Sequence, residues 1–406
     1  LSRYLREVST RPPQTGESPV VVPRLPCTRS GAVTATPFSP REAGVAVFFD
    51  LPQLYYLTQY WPVCEALRER GVRCHFVAYH AGNRANGTGR HTLERLGVPF
   101  TWVSSPQQAS ELYRQCEPDW VVFGQVFAHL DQLASRTRSA QLYHGIGMKS
   151  DIYSAGLYEM DVRFTEGPHY TRVHRTHAPR ARLIEVGYAK LDPLFWPNHR
   201  QAKLKPGAIG LQPGRPTLMY APSFFPSSIG AMPDNWPRDF ADCNLIIKAH
   251  EYSHTGARSY YRAQRRKLAR WAQEPNVHLV AAEQFDPIPY MTVSDVLISE
   301  ASSVLFEFAA MDRPVVWCDF LALRWTYRGP FRHRLAERLD SSILPYADIA
   351  AHARSYQEMV GIVREQIAVG GEGCARRRTY TAELLGPTDG RTGERIAQFL
   401  LTGSVR

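Results

Sequence analysis

No stretch of this chain approaches the roughly 18 consecutive apolar residues that a membrane-spanning helix needs. The opening segment, LSRYLREVSTRPPQTGESP, is basic and polar and has no apolar h-region, so the expectation is a cytoplasmic protein. Paired cysteines are also missing. The seven (Cys27, Cys64, Cys74, Cys116, Cys243, Cys318 and Cys374) are odd in number, widely spaced and never form CxxC. That excludes a disulfide scaffold and reads as reduced, mostly buried thiols. There is no GxxxxGK[ST], HExxH, GxSxG or DxD-type acidic pair, which removes the P-loop, zincin and serine-hydrolase readings. No module interleaves aromatic and basic residues, so no nucleic-acid partner is expected.

What is present is enough for two cores. The chain has 406 residues, 44% of them hydrophobic, too many for one ordinary domain. Its formal charge of +10 favours anionic partners without choosing among them. Residues 1–42 are proline-bearing and polar with no period, and read as an arm. Short apolar strands then alternate with helical spacings: strands at 44–49, 72–79, 98–103, 120–123, 141–143 and 182–186, with helices near 53–70, 90–97 and 111–116. The segment 197–216 is rich in Pro, Gly and charge and reads as a linker. The alternation then restarts, with strands at 217–220, 245–249, 277–281, 295–299 and 314–317 and a clear helix at 257–272. Helices near 352–368 and 392–402 close the chain. The expectation is an α/β protein with two Rossmann-type domains facing a cleft. The boundaries would be 43–200 for an acceptor-side domain, 201–390 for a nucleotide-donor domain, and 391–406 for a terminal helix and tail.

The segment SDVLISEASSVLFEFAAMDRPVV, residues 294–316, carries the sharpest chemistry. A buried strand runs into a helix whose first turn holds Ser302 and Ser303, where unpaired N–H groups and the positive dipole end favour an anion. Glu307 lies one turn further along nearly the same face. Pyrophosphate on the serines and sugar hydroxyls on the carboxylate would suit a nucleotide, and an ordinary capped helix fits the pattern equally well. His144 follows the strand at 141–143, where open α/β sheets bind ligands, and Gly145 lets the backbone approach. Its near-neutral pKa suits a general base. His250 repeats that placement in the second half, with Lys248 on the same side of its strand. Ser223 stands beyond another strand end, either on a phosphate or in a turn. Asp192 suits substrate binding or capping of the next helix. His169 and His174 have no spacing for a metal pair and read as the start of a basic helix facing the cleft.

Five motifs in this order resemble the CDP-glycerol glycerophosphotransferase family, which makes teichoic-acid and capsule polymers. They are QLYHGIGMK, VGYAKLD, YAPSF, IIKAH and SEASSVLFE, the last followed by the strand RPVV. The resemblance implies a GT-B fold with the active site between the domains. It implies transfer of glycerol phosphate or ribitol phosphate from a CDP-linked donor to an acceptor hydroxyl of a surface glycan or polymer, with release of CMP. By motif, His144 would deprotonate the acceptor and His250 would contact the donor phosphates or leaving group. Gly145, Lys149, Asp192 and Ser223 would line the substrates, Ser302 and Ser303 would hold the pyrophosphate, and Glu307 would hold the ribose. No protein-held cofactor or metal is expected, and Mg²⁺ would ride on the donor pyrophosphate. Peripheral contact with an anionic membrane at its inner face is a further expectation. The alternative is a GT-B glycosyltransferase or epimerase acting on a nucleotide sugar.

Overall fold

The computed structural model describes residues 44–80, 88–146, 150–196, 204–224, 226–323, 327, 340–370 and 374–405. The first lobe holds seven strands: β1 (Ala46–Leu51), β2 (Arg73–Tyr79), β3 (Phe100–Val103), β4 (Trp120–Phe123), β5 (Arg138–Gln141), β6 (Val162–Thr165) and β7 (Leu183–Glu185). They form one parallel sheet in the order β3-β2-β1-β4-β5-β6-β7. The second lobe holds β8 (Thr217–Ala221), β9 (Asn244–Ile247), β10 (Val277–Leu279), β11 (Val296–Ser299), β12 (Val315–Cys318) and β13 (Ala351–Ala353). Its order is β10-β9-β8-β11-β12-β13, again parallel throughout.

The central strands are unbroken apolar or nearly apolar runs, AVFFDL in β1 and VVWC in β12, buried at every position. That is the pattern of a parallel sheet covered on both faces. In each lobe the strand order reverses beside the first strand, between β1 and β4 and between β8 and β11. A crevice opens at such a reversal, beyond the carboxyl ends of the strands.

Most expected elements fall within two or three residues of those observed. Two strands escaped the pattern reading. β6, VRFT, carries a buried arginine where an apolar residue was sought, and β13 is only three residues, AHA, ahead of a helix. The strand expected at 141–143 is β5, three residues earlier, which leaves His144 in the loop beyond its end.

The last helix, Thr392–Thr402, belongs to the core of the first lobe although it follows the second. Its Phe399 and Leu400 are buried with Trp120, and the Trp120 indole donates to the Leu400 carbonyl at 2.8 Å. Gly393 makes this crossing feasible: a Cβ there would meet the Pro62 carbonyl oxygen at 2.5 Å. Among the described residues no helix is long and apolar enough to cross a membrane. Of the cysteines described, Cys64, Cys74, Cys116, Cys243 and Cys318 are buried free thiols and Cys374 is partly exposed.

Candidate functional site

His144 lies past β5 and leans against the end of β4. Its Nδ1 is 3.2 Å from the Gly124 carbonyl oxygen. A carbonyl only accepts, so Nδ1 carries the hydrogen and the basic lone pair of the neutral ring lies on Nε2. The ring stacks on Tyr56 at 4.5 Å and 7°, and meets Tyr55 edge-on at 5.3 Å. Gly124 allows this packing, because a Cβ would sit 2.7 Å from the Tyr56 ring. Gly145 has open space around its Cα. Lys149 lies outside the described residues.

On the facing lobe β9 ends at Ile247, and its ladder closes with Lys248 N–H donating to the Tyr220 carbonyl at 2.9 Å. Lys248 and His250 therefore stand in the loop, not in the strand as alternation suggested. His250 is the N-cap of the helix Glu251–Thr255, and its Nδ1 accepts from Tyr252 N–H at 3.2 Å. The neutral ring thus carries its hydrogen on Nε2, the opposite tautomer to His144. Phe224 packs on it at 4.9 Å. Burial pushes the Lys248 ammonium down to about 8, partly offset by Asp286. The two lobes approach here: the Tyr55 phenol, beside His144, feels Tyr252 and Glu251, beside His250.

Ser223 is tied down by a residue that pattern reading passed over. Glu300, 1% exposed, accepts from Ser223 N–H (2.8 Å) and Oγ (2.5 Å), Ser227 Oγ (2.9 Å), and Ser228 N–H and Oγ (both 2.5 Å). One carboxylate at the end of β11 thereby shapes the loop after β8, across the strand-order reversal. Ser302 is the N-cap of the helix Ser303–Ala309, and its hydroxyl makes no capping hydrogen bond. Ser302 and Ser303 are both partly exposed at the helix start.

Glu307 is fully buried and reaches the other lobe. It accepts two 2.8 Å bonds from the Lys190 ammonium and one at 3.0 Å from the Tyr188 hydroxyl. Both partners come from VGYAKLD. Gly187 in that motif has φ +106, and a Cβ would meet Thr392 Oγ1 at 2.6 Å, so both conformation and space demand glycine. Asp192 is 3% exposed, and its carboxylate accepts from Thr392 N–H (3.1 Å) and Gly393 N–H (2.7 Å). It caps a helix, but the final one and not its own. Burial raises it to about 6.

His169 and His174 do start a helix, Pro168–His177, but neither faces a ligand cleft as expected. His174 is fully buried with Nδ1 2.8 Å from the Tyr158 hydroxyl. His169 joins the lobes, with Nε2 3.0 Å from Ser342 Oγ. Glu300 and Lys190, which hold Ser223 and Glu307, were not selected by spacing, although each lies inside one of the segments quoted above; for Glu300 the available signal was a buried position just past the end of β11. Among the described residues no group of three His, Cys, Asp or Glu could hold a metal ion.

The CDP-glycerol:poly(glycerophosphate) glycerophosphotransferase family matches residues 137–401, more than half of the chain. The chain belongs to this family. Among solved structures, this glycerophosphotransferase is similar to the wall teichoic acid polymerase TagF. A TagF variant superposes with a TM-score of 0.61 at 15% identity, covering 91% of this chain and 90% of that one. S. aureus MnaA with UDP gives 0.59 at 10%, over 88% and 96%. A UDP-GlcNAc 2-epimerase from Neisseria meningitidis gives 0.55 at 12%, over 88% and 99%. At these identities the likeness carries the fold, which is GT-B-like, and the family carries the class of enzyme. No curated protein matches this glycerophosphotransferase in sequence.

Proposed function

We propose that this transferase moves glycerol phosphate or ribitol phosphate from a CDP-linked donor to a hydroxyl of a cell-surface glycan or polymer, releasing CMP. The observation that supports this most is that each lobe sets a histidine just past a strand end, His144 with Nδ1 3.2 Å from the Gly124 carbonyl and His250 with Nδ1 accepting from Tyr252 N–H. In this reading the acceptor hydroxyl gives its proton to His144 Nε2, and its oxygen attacks the β-phosphorus. The bond from that phosphorus to the bridging oxygen breaks, and its electron pair leaves with CMP. His250 Nε2–H, the Lys248 ammonium and the amides at Ser302 and Ser303 would stabilise charge growing on the phosphate oxygens. Gly145 would let the acceptor approach, Lys149 would add a charge there, and Ser223 would act through the loop that Glu300 holds. Glu307 belongs to the helix that Ser302 starts, and a ribose hydroxyl would use the acceptor capacity that Lys190 and Tyr188 leave it. Mg²⁺ would enter on the pyrophosphate, and the charge of +10 favours the anionic inner face of a membrane.

The test is CMP release from CDP-glycerol and CDP-ribitol with glycan and polyol-phosphate acceptors. His144→Ala should lower turnover by about 10²–10⁴, the range of a lost general base. Turnover of UDP-sugars with none of either CDP-polyol would replace this reading with the glycosyltransferase or epimerase alternative.

A further inference from the structure

Beneath the His144 loop, four polar side chains are buried together with atoms that find no partner. Gln141 and Arg163 are register partners on the adjacent strands β5 and β6, so their side chains emerge side by side. Gln141 is 0% exposed, Arg163 2%, Glu166 4% and His174 0%. Gln141 Nε2 and Oε1, Arg163 Nε and Nη1, Glu166 Oε2 and His174 Nε2 all lack a hydrogen bond within the protein. The three titratable members are also neighbours electrostatically. Arg163 is coupled electrostatically to Glu166 and to His174, and its guanidinium lies over the Tyr158 ring at 4.9 Å. The Tyr158 hydroxyl in turn meets His174 Nδ1.

Native proteins satisfy nearly all such buried atoms. Six dry ones would forfeit a large share of the folding free energy of an ordinary protein. The unmet set contains donors (Arg163, the Gln141 amide nitrogen) and acceptors (the Gln141 amide oxygen, Glu166). A bare anion would satisfy only the donors and a bare cation only the acceptors. Burial raises the Glu166 carboxyl to about 7 while Arg163 pulls it back down, so the unmet set stays mixed in donors and acceptors whichever way Glu166 is protonated. A hydroxyl both donates and accepts. The side chains are nearly sealed, so the ligand must be small.

We infer that Gln141, Arg163, Glu166 and His174 form a binding chamber for neutral hydroxyl groups, filled by ordered water or by the end of a small polyol. Its place gives it a use. Tyr143 feels both Arg163 and Glu166 and is joined to His144, its ring 4.4 Å from the imidazole. Occupancy of the chamber therefore supports the residue beside the general base. A polyol in it would lie on the same side of the cleft as the acceptor. The inference does not depend on the identity of the donor: absence of CMP release would leave it standing.

The experiment is a crystal structure of the full chain grown without polyol, then soaked with glycerol or ribitol, together with thermal denaturation of Gln141→Leu and Arg163→Met. Density for water bridging Arg163, Gln141 and Glu166, and a lower Tm for Gln141→Leu by about 2–4 °C or more, would establish the water source. Replacement of that density by glycerol or ribitol would establish the polyol source. No density within hydrogen-bond reach of these atoms, with Gln141→Leu raising Tm, would overturn the inference. So would a halide in the chamber, identified by bromide exchange and anomalous scattering.

Discussion

Lys190→Met is the substitution with the most to reveal. It keeps an apolar stem and removes only the ammonium. In the native protein the Lys190 side chain is 12% exposed and the Glu307 side chain 0% exposed. Removing one member of such a pair strands a charge in the interior, which costs about 3–5 kcal/mol. The Tyr188 hydroxyl still donates to Glu307 at 3.0 Å, so the lower end, about 3 kcal/mol, is expected. For a lobe of this size each kcal/mol moves Tm by roughly 2–4 °C, giving a fall of about 6–12 °C. Calorimetry of wild type, Lys190→Met, Glu307→Gln and the double variant separates the pair from its surroundings. The double variant should regain more than half of the loss, because no charge remains stranded. The reasoning is refuted if Lys190→Met lies within about 0.5 kcal/mol of wild type, as an exposed ion pair would. Since the pair joins VGYAKLD to the donor helix, Lys190→Met should also raise KM for the nucleotide donor more than it lowers kcat.

Three further outcomes follow from buried carboxylates. Asp192→Ala removes the cap of the final helix and should cost at least the usual cap value of about 0.5–2 kcal/mol; a change smaller than that in urea denaturation would contradict the geometry. Glu300→Gln keeps the shape but swaps one acceptor oxygen for a donor, so Ser223, Ser227 and Ser228 can no longer all be satisfied. It should reduce transferase activity and increase hydrogen exchange at 223–230, and unchanged exchange there would count against it. Asp50 is buried with Tyr79 and Tyr113 hydroxyls on Oδ1, and burial raises it from 3.8 to about 6. The folded state thus holds this proton more tightly than the unfolded one, so stability falls as pH rises from about 4 to about 6, by on the order of 3 kcal/mol. Asp50→Asn should gain on wild type across that window, and a constant difference between the two proteins would exclude the assignment.

Much of this fold could be read in advance because the central parallel strands are apolar or nearly so. Val296 to Ser299 and Trp120 to Phe123 announce themselves without knowledge of any neighbour. β6 does not, because Arg163 is buried by tertiary context that no local pattern carries. The site was legible as positions more than as partners. That His144 and His250 stand past strand ends follows from local sequence. That their ring hydrogens sit on opposite nitrogens depends on Gly124 and Tyr252, one of them twenty residues away. Asp192 shows the limit most clearly: its helix-capping chemistry was readable, but the helix it caps begins two hundred residues later. Glu307 likewise was readable as a carboxylate one turn into a helix, but the lysine it holds comes from the opposite lobe.

The return of the final helix to the first lobe sets how the two halves can move. The chain crosses between them twice, once after Phe195 and once between Leu385 and Thr392. A single tether would permit rotation about any axis. Two tethers define a line, and only rotation about that line leaves both unstrained. The second crossing lies where Gly386, at φ +69, sits 2.6 Å from the Glu166 carbonyl oxygen by the position a Cβ would take. Any rotation of one lobe against the other would have to turn about the line through these two crossings, and would have to break the Glu307 ties to Lys190 and Tyr188.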